Sequence, residues 1–431
     1  MRGSMDSSMD SSMNSSTHGP SSVLLAGGGS AGHVSPLLAL ADALVRRDPD
    51  VRITALGTAT GLEARLVPAR GYPLRPIDKV AFPRRVSRAA LGLPGALWGA
   101  VSAADAILRD TGAQVVVGFG GYVSTPAYLA ARRRGIPIVI HEQNARPGLA
   151  NRLGARLTPY VATTFAQTVL PHSRVVGMPL RAEIAQLDRS ALRAQARAHF
   201  GLDPDAPTLL VTGGSLGAQR LNEAFGAAAA ALVADGAQVL HLSGIGKEFE
   251  PFEGAAEAAL SGETPGAGAE SGPPSGRRGR YVVLPYAERM ELAYAAADLV
   301  VARSGANTVC ELSAVGLPAV FVPLPIGNGE QRLNADGVVA AGGALLVDDA
   351  AVDAAWVERE VVPLLGDPDR LARMSAASSQ VGERHADERL ADLVHAAYRA
   401  SRRSSGTAPG GPQGSPDAYG SDGSQGTGER A

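Results

Sequence analysis

Short apolar runs alternate along the chain with longer stretches in which apolar residues recur at helical spacing. In the first half the runs lie at 23–26, 51–56, 115–118 and 138–140, with helical stretches at 36–47 and 125–134. Runs that are apolar throughout are typical of parallel strands, because helices cover both faces of such a sheet. This half of the chain therefore predicts an α/β domain.

The same pattern starts again after a break near residues 175–181. The second set of apolar runs lies at 208–212, 239–242, 281–284, 299–302, 319–322 and 344–346. Each set opens with a strand, a glycine-rich loop (27–32 or 213–217) and a helix, which predicts two doubly wound, Rossmann-like domains. We assign 21–178 to the first domain and 179–384 to the second. The helical stretch at 385–400 is expected to pack back across the first domain.

Three segments have no periodicity. Residues 1–20 are rich in Ser and Met, while 262–279 and 403–431 are rich in Gly, Pro and Ser. Such compositions bury too little apolar surface to fold, so we expect two disordered tails and a flexible insertion in the second domain. No apolar stretch approaches the roughly 20 residues of a membrane span. Residues 1–20 also lack the apolar core of a secretory signal, so any membrane contact is expected to be peripheral.

Charge and cysteine content narrow the function classes. The 40 basic residues are balanced by 42 acidic ones, which argues against bulk binding to nucleic acid. Cys310 is the single cysteine, so an internal disulfide is excluded and a reducing compartment is favoured. We expect this thiol to be a small buried packing residue and not a reactive group.

The first glycine loop, GGGSAGH at 27–33, follows a strand and precedes a helix. Glycines there let backbone N–H groups approach an anion, and the helix start adds a positive potential. A dinucleotide site also needs an acid at the end of the second strand, which ends Ala55-Leu56-Gly57 without one; Glu63 lies well beyond. NAD is therefore disfavoured. Phosphate recognition and a purely structural tight turn both stay open.

A nucleotide signature follows the run at 299–302. Ser304 and Gly305 suit a helix start, and Glu311 lies one turn beyond, on the face of Asn307 and Thr308. The helix end could take a phosphate while the carboxylate accepts two hydrogen bonds from a ribose. The alternative is that Glu311 only solvates the helix surface.

These segments resemble the UDP-N-acetylglucosamine:lipid I transferases of peptidoglycan synthesis (the MurG family), which have the GT-B fold. The resemblance spans residues 23–400 and rests on seven motifs in the same order. They are GGGSAGHVSP at 27–36, VGFGGYVSTP at 117–126, HEQN at 141–144, VVGMPLR at 175–181, TGGSLGAQRLN at 212–222, ARSGANTVCE at 302–311 and EQRLNA at 330–335. The resemblance implies two domains facing a central cleft, and a glycosyltransferase that inverts the anomeric carbon.

The resemblance also implies roles for individual residues. On the donor side, Arg181 and Ser215 hold the diphosphate, the backbone at Ala287 reads uracil, Gln331 and Asn144 bind sugar hydroxyls, and the helix end comprises Ala306, Asn307, Thr308, Val309, Cys310 and Glu311. On the acceptor side it places Ser30, Ala31, Gly32, Gly120, Gly121 and Tyr122. The chain departs from the family at Ala31, where many relatives have Gly, and at Glu330, where Gln or His is frequent.

Glycosyl transfer needs a base for the acceptor hydroxyl and positive potential for the departing UDP. His33 is our first candidate for the base, and hydrogen bonding to the acceptor diphosphate is its alternative role. Glu142 is the reserve base, and His141 is expected to be structural. The Asp-Pro-Asp triplets at 48–50, 203–205 and 367–369 resemble turns or helix starts, so we expect neither a metal nor another cofactor.

The segment 79–101 combines basic and apolar side chains. They are Lys79, Arg84, Arg85, Arg88, Leu91, Leu93, Leu97 and Trp98. Such a surface suits anionic lipid, although a core helix with a solvated basic entrance explains it nearly as well. Because the implied acceptor is a polyprenyl diphosphate carrying a muramyl peptide, we expect peripheral binding to the cytoplasmic face of the membrane. Contacts with other cell-wall synthesis proteins are a further expectation.

Three other functions stay open. A UDP-N-acetylglucosamine 2-epimerase would share the fold and the donor but would need no lipid surface. A nicotinamide-dependent oxidoreductase is disfavoured by the missing acid after Leu56. A sugar-nucleotide sensor would bind the donor yet tolerate loss of His33 and Glu142.

Overall fold

In a computed structural model, the chain forms two parallel β-sheets covered by helices. The structure describes residues 19–80, 93–214, 217–234, 236–251, 279–326 and 328–406. Ser215 and residues 81–92, which include Arg84, Arg85, Arg88 and Leu91, lie outside the described residues, as do most of the insertion and both tails.

The first sheet has seven strands in the order β3-β2-β1-β4-β5-β6-β7. They are β1 Ser22–Ala26, β2 Arg52–Gly57, β3 Leu74–Pro76, β4 Val115–Gly118, β5 Ile138–Glu142, β6 Val161–Thr163 and β7 Ser173–Val175. All neighbouring pairs are parallel, with Val23 opposite both Ile53 and Val115. The order reverses between β1 and β4, so the loops after these two strands flank the crevice in which such sheets bind ligands.

The second sheet has six parallel strands in the order β10-β9-β8-β11-β12-β13. They are β8 Thr208–Thr212, β9 Gln238–Leu242, β10 Arg280–Leu284, β11 Leu299–Ala302, β12 Ala319–Phe321 and β13 Ala344–Leu346. Here the order reverses between β8 and β11, which precede the second glycine loop and the nucleotide signature. The predicted class, two doubly wound α/β domains, is confirmed.

Helices cover both sheets. Those before the second sheet are α1 Ala31–Arg47, α2 Glu63–Ala69, α3 Leu93–Thr111, α4 Ser124–Arg133, α5 Leu149–Gly154, α6 Ala182–Ala185 and α7 Arg189–His199. Those that follow are α8 Gln219–Ala227, α9 Ala229–Ala234, α10 Met290–Ala296, α11 Ala306–Ala314, α12 Glu330–Ala340, α13 Ala354–Trp356, α14 Val362–Leu365, α15 Pro368–Val381 and α16 Ala386–Gly406. A 3₁₀ turn, Asp349–Ala351, and a π-helical turn, Val357–Val361, complete the second domain. Among the described residues no helix is both long enough and apolar enough to cross a membrane.

Helix α1 begins earlier than the sequence indicated. The sequence pattern predicted a start near Pro36. The helix instead begins at Ala31, after Ser30 in an extended conformation (φ −148°), and Pro36 lies inside it. Consequently Ala31, Gly32 and His33 form the first turn of a helix and not the end of a loop.

The last helix, α16, returns from the second domain to the first. Its buried residues Leu390 and Val394 share one apolar core with Val23 of β1 and Leu37 of α1. Arg47 of α1 pairs with Asp392 at 2.6 Å. The helix continues to Gly406, so the expectation of disorder from residue 403 was wrong for its first four residues. Basic residues such as Arg403 favour a helix C-terminus, which their charge stabilises.

Candidate active site

The first glycine loop and the loop after β4 touch each other at the edge of the first sheet. Gly120 and Gly121 have φ of +91° and +80°, a region that favours glycine. A Cβ on Gly121 would lie 2.5 Å from the Gly28 carbonyl oxygen, and one on Gly120 would lie 3.2 Å from His33 Nε2. Both positions therefore require glycine, and His33 Nε2 faces the second loop.

The imidazole of His33 is held by the glycine loop that precedes α1. Its Nδ1 lies 3.1 Å from the Gly28 carbonyl oxygen and 3.0 Å from Ser30 Oγ. Because a carbonyl oxygen can only accept, Nδ1 carries the proton, and the neutral ring has an unprotonated Nε2. Burial lowers the pKa of His33, against the opposing effects of the Gly28 hydrogen bond and the charge of Glu63. This geometry suits a group that takes up a proton at Nε2.

Glu63, which the sequence analysis set aside, is part of this loop structure. Its side chain is fully buried and accepts hydrogen bonds from Gly29 N (2.9 Å), Thr58 N (3.0 Å) and Thr58 Oγ1 (2.6 Å). Burial acts to raise the pKa of Glu63, but these hydrogen bonds outweigh it and the pKa lies below its ordinary value. No local motif signals this role, because Glu63 meets the loop from 34 positions away.

Glu142, the reserve base, is the last residue of β5 and is almost fully buried. Its Oε1 accepts from Asn144 N at 3.0 Å, and its Oε2 accepts from Gly148 N at 3.0 Å and from Asn151 Nδ2 at 2.9 Å. Burial raises the pKa of Glu142, although these hydrogen bonds oppose the shift. Both oxygens therefore hold the loop at 143–148 in shape.

His141 lies beside Glu142 in the core. Its Nε2 donates to the Gly177 carbonyl at 2.9 Å, and its Nδ1 accepts from Gln143 Nε2 at 3.0 Å. Burial lowers the pKa of His141 to about 4, so the ring is neutral at physiological pH. These contacts tie the end of β5 to the chain segment that leaves the first domain.

On the opposite side of the cleft, α11 begins at Ala306 after Gly305, and the N–H groups of its first turn have no partners within the helix. Glu311 is 8% exposed, so its interpretation as a solvated surface residue was wrong. Its Oε2 accepts from Tyr294 Oη at 2.7 Å, and its Oε1 lies 4.0 Å from Arg181 Nη2. Burial raises the pKa of Glu311, with Arg181 and Tyr294 acting in the opposite direction.

Arg181 precedes the short helix α6, and its buried Nε has no hydrogen-bond partner among the described residues. The Arg181 guanidinium thus lies beside Glu311 and still has an N–H group that can donate a hydrogen bond to a ligand. Ala287, expected to contact uracil through its backbone, is buried just after β10. The positive group and the start of α11 together form a site for an anion.

Several hydrogen bonds join the two sides of the cleft. Asn307 Nδ2 donates to the Ala31 carbonyl at 3.2 Å, so the start of α11 meets the start of α1. Asn334 of α12 accepts from Ala145 N at 2.9 Å and lies 3.4 Å from Asn144 Oδ1. The structure thereby brings Asn144 together with the second domain. Asn334 was missed as a site residue, although it lies within the EQRLNA motif.

The remaining residues that were predicted to bind the donor are Gln331, Val309, Cys310 and Thr308. Gln331 Oε1 accepts from Leu324 N at 2.9 Å, which leaves its amide nitrogen for a sugar hydroxyl. Val309 and Cys310 line a cavity of about 290 Å³ between the domains. Cys310 is partly buried against the core, and burial raises the pKa of its thiol. Thr308 is half-buried on the first turn of α11.

Part of the segment that was expected to face lipid lies within the described residues. Trp98 of α3 is 64% exposed, and the Arg133 guanidinium lies 5.1 Å from its ring centre. Lys79 lies 4.4 Å from the ring centre of the exposed Tyr122. Leu97 is partly buried and packs against the core of the first domain. An amphipathic helix packs one face against the core, so α3 cannot expose all of its apolar residues to solvent.

The Asp-Pro-Asp triplets form local caps. Asp48 accepts from Asp50 N, Asp203 accepts from Asp205 N and Ala206 N, and Asp367 caps α15 through Arg370 N. These carboxylates satisfy the backbone at turns and helix starts, as predicted from the Pro that follows each.

Comparisons with known proteins agree with this architecture. The glycosyltransferase family 28 N-terminal domain matches residues 23–163, and the family 28 C-terminal domain matches residues 208–390. A crystal structure of Acinetobacter baumannii MurG superimposes with a TM-score of 0.66 at 29% identity, covering 87% of this chain and 99% of that one. A UDP-N-acetylglucosamine 2-epimerase superimposes with a TM-score of 0.58 at 15% identity, covering 93% and 99%, a likeness that shows the fold alone.

Curated relatives are much more similar in sequence. A protein of Streptomyces avermitilis is 54% identical over 381 residues, covering 88% of this chain and 99% of the relative. A protein of Nocardioides sp. is 56% identical over 372 residues, covering 86% and 97%. Both carry the same name. The chain therefore belongs to glycosyltransferase family 28 and, within it, to the family whose curated members are called UDP-N-acetylglucosamine--N-acetylmuramyl-(pentapeptide) pyrophosphoryl-undecaprenol N-acetylglucosamine transferase.

Proposed function

We propose that this chain transfers N-acetylglucosamine from UDP-N-acetylglucosamine to the C4 hydroxyl of the muramyl sugar of undecaprenyl-pyrophosphoryl-N-acetylmuramyl-pentapeptide. The reaction converts lipid I to lipid II in peptidoglycan synthesis. The observation that carries the proposal is the meeting of α1 and α11 at the Asn307–Ala31 hydrogen bond. It sets an anion site of the second domain directly against the loop that holds His33.

The donor lies on the second domain in this proposal. The UDP diphosphate rests on the unpaired N–H groups at the start of α11 and on Arg181, which stabilise the negative charge that grows as UDP leaves. Glu311 accepts hydrogen bonds from the ribose hydroxyls, with Ser215 as a further diphosphate contact. Gln331 and Asn144 bind hydroxyls of the transferred sugar. No role in this arrangement is given to a metal.

His33 is the proposed base. As the C4 oxygen attacks the anomeric carbon, its proton passes to Nε2, the bond from the anomeric carbon to the UDP oxygen breaks, and the electron pair leaves with UDP. Attack from the face opposite UDP turns an α-linked donor into a β-linked product. Glu142 is less suited to this step, because both its oxygens are occupied by backbone N–H groups and Asn151.

We place the acceptor on the first domain. Its diphosphate contacts the N–H groups of Ala31 and Gly32, which begin α1 and have no partner within the helix. Its lipid lies at the surface that carries Tyr122, Lys79 and Trp98, where basic and aromatic groups suit an anionic bilayer. The chain is then a peripheral protein of the cytoplasmic face of the membrane, within reach of other cell-wall synthesis proteins.

The test is incubation with radiolabelled UDP-N-acetylglucosamine and a short-chain lipid I analogue, followed by chromatography of the lipid product. We expect a labelled lipid-linked disaccharide, with label transfer that depends on the acceptor. Incubation with the donor alone is the control, because a 2-epimerase would form the epimeric sugar nucleotide without acceptor. Formation of that epimer without labelled lipid would refute the transferase.

Variants separate binding from chemistry. Glu311→Ala should weaken UDP binding by about 1–3 kcal/mol, the scale of a hydrogen bond to a charged group. His33→Ala should lower turnover far more than donor affinity. Equal losses in turnover and affinity would give His33 a binding role.

A further inference from the structure

We infer that Glu63 is a positioning residue for His33, acting through the single peptide group that joins Gly28 to Gly29. The Gly29 N–H donates to Glu63 Oε2 at 2.9 Å, and the Gly28 carbonyl of the same peptide accepts from His33 Nδ1 at 3.1 Å. Carboxylate, peptide and imidazole are thus connected in series. The inference rests on the proposed role of His33 as the base.

Rigidity of the peptide group makes this connection mechanical. The peptide is planar, with N–H and C=O fixed in opposite directions, so holding the Gly29 N–H also aims the Gly28 carbonyl. That carbonyl decides which imidazole nitrogen carries the proton and where Nε2 points. A carboxylate hydrogen-bonded directly to a histidine performs the same function in hydrolase triads. Here one peptide group is inserted between the two side chains.

The surroundings of Glu63 show that its position is closely fitted. A Cβ added to Gly28, Gly57 or Gly61 would lie 2.4, 2.6 or 2.1 Å from the nearest Glu63 atom. Three glycines therefore leave room for one carboxylate, and Thr58 holds its other oxygen. Burying a carboxylate costs desolvation free energy, and the hydrogen bonds from Gly29 and Thr58 offset that cost.

Glu63 also limits which backbone N–H groups of the loop can bind an anion. Because the Gly29 N–H is taken by an internal carboxylate, an acceptor phosphate cannot use it and is repelled by the charge beside it. The N–H groups of Ala31 and Gly32 are left for the acceptor, which keeps the phosphate on the helix side of His33.

The test compares Glu63→Gln with wild-type enzyme in the lipid I analogue assay and by ¹⁵N NMR of the His33 ring. Gln keeps the volume but removes the charge and one acceptor. We expect kcat to fall about tenfold, since general base catalysis contributes roughly 10²–10⁴-fold and the base itself is retained. The Kd for UDP should stay within about twofold, because Glu63 does not touch the donor site.

The pH profile supplies a readout that a purely structural role would not change. The charge of Glu63 raises the pKa of His33 against the effect of burial, so its removal should move the acid limb of kcat to lower pH. The residues that α5 and α11 bring to this part of the site, Asn151 and Asn307, carry no charge. Asp42→Asn is the matched control: it removes another carboxylate of the first domain, one that binds Arg70 and Tyr72. It should leave the limb in place.

Wild-type NMR keeps the inference testable if the variant does not fold. The His33 ring must be in the Nδ1–H form in wild type and lose that preference in Glu63→Gln; an Nε2–H ring in wild type would overturn the inference. An unchanged acid limb and ring in a folded Glu63→Gln would also overturn it, even if His33→Ala abolishes turnover. If Glu63→Gln alters the ring while His33→Ala stays active, the positioning is supported and the proposed base is refuted.

Discussion

Replacing Tyr294 by Phe removes one hydroxyl from a buried part of the proposed donor site. Tyr294 Oη donates to Glu311 Oε2 at 2.7 Å, and both side chains are buried. The other group near this carboxylate is Arg181, whose Nη2 is 4.0 Å from Oε1, too far for a direct hydrogen bond. The tyrosine therefore supplies the short hydrogen bond that stabilises the ionised form of Glu311.

The size of the effect follows from that geometry. A hydrogen bond to a charged group contributes about 1.5–3 kcal/mol, and one pKa unit corresponds to about 1.36 kcal/mol. The pKa of Glu311, already raised by burial, should rise further when this hydrogen bond is lost. A protonated Glu311 loses an acceptor for the ribose hydroxyls, so UDP affinity falls as the pH drops through this pKa. In Tyr294→Phe the fall should begin at higher pH than in wild type.

Isothermal titration of UDP over a series of pH values measures this shift. We expect the two affinities to agree where Glu311 is ionised in both proteins, and to differ by up to about tenfold, or 1.4 kcal/mol, where it is protonated only in the variant. Tyr281→Phe is the matched control, because the hydroxyl of this partly buried tyrosine in the same domain lies 2.7 Å from His241 Nδ1. If both variants show the wild-type pH dependence, the assignment of Tyr294 and Glu311 to ribose binding is refuted.

Three further predictions test other parts of the structure. Gly121→Ala should lower turnover at least about tenfold, because its Cβ would lie 2.5 Å from the Gly28 oxygen. Gly135→Ala is the control: this glycine also has a positive φ (+68°) but has open space around it, so the substitution should cost only about 1–2 kcal/mol of stability. Enzyme kinetics and urea unfolding measure both effects, and equal behaviour of the two variants would contradict the prediction. Leu390→Ala should destabilise the fold by about 2–5 kcal/mol by urea unfolding, because this side chain is fully buried against the first domain; a loss below 1 kcal/mol would mean that α16 does not pack there. Glu142→Gln should lower stability by about 1–3 kcal/mol together with turnover, and loss of turnover with unchanged stability would instead favour Glu142 as the base.

Local sequence patterns were sufficient to predict the strands that are buried on both faces of a sheet. The bounds of β4, β8, β11 and β13 were predicted correctly, because a buried parallel strand is apolar at every position. The two edge strands β3 and β7 were missed, as was β6, which lies next to β7. Each has three residues and includes at least one that is not apolar, whereas β13, of the same length, is apolar throughout.

The candidate site was predicted where glycines and helix starts mark it, and missed where the partner is distant in sequence. Tyr294 lies on a different helix from Glu311 and is indistinguishable from an ordinary core aromatic in the sequence. Glu63 was judged only against the spacing of a dinucleotide site, which it fails, and its actual contact with Gly29 follows from how α2 is packed.

The sequence by itself determined two parallel sheets, two glycine-rich loops at their carboxyl ends and the start of α11, because each depends on the steric and hydrogen-bonding properties of neighbouring residues. Tertiary structure alone decided which carboxylates are buried and what they hold: Glu63 beneath the first loop, Glu142 behind the loop at 143–148, and Glu311 between Tyr294 and Arg181. The physical reason is that a charge is stabilised by whatever surrounds it in space. Those surroundings are assembled from segments that have no fixed spacing along the chain.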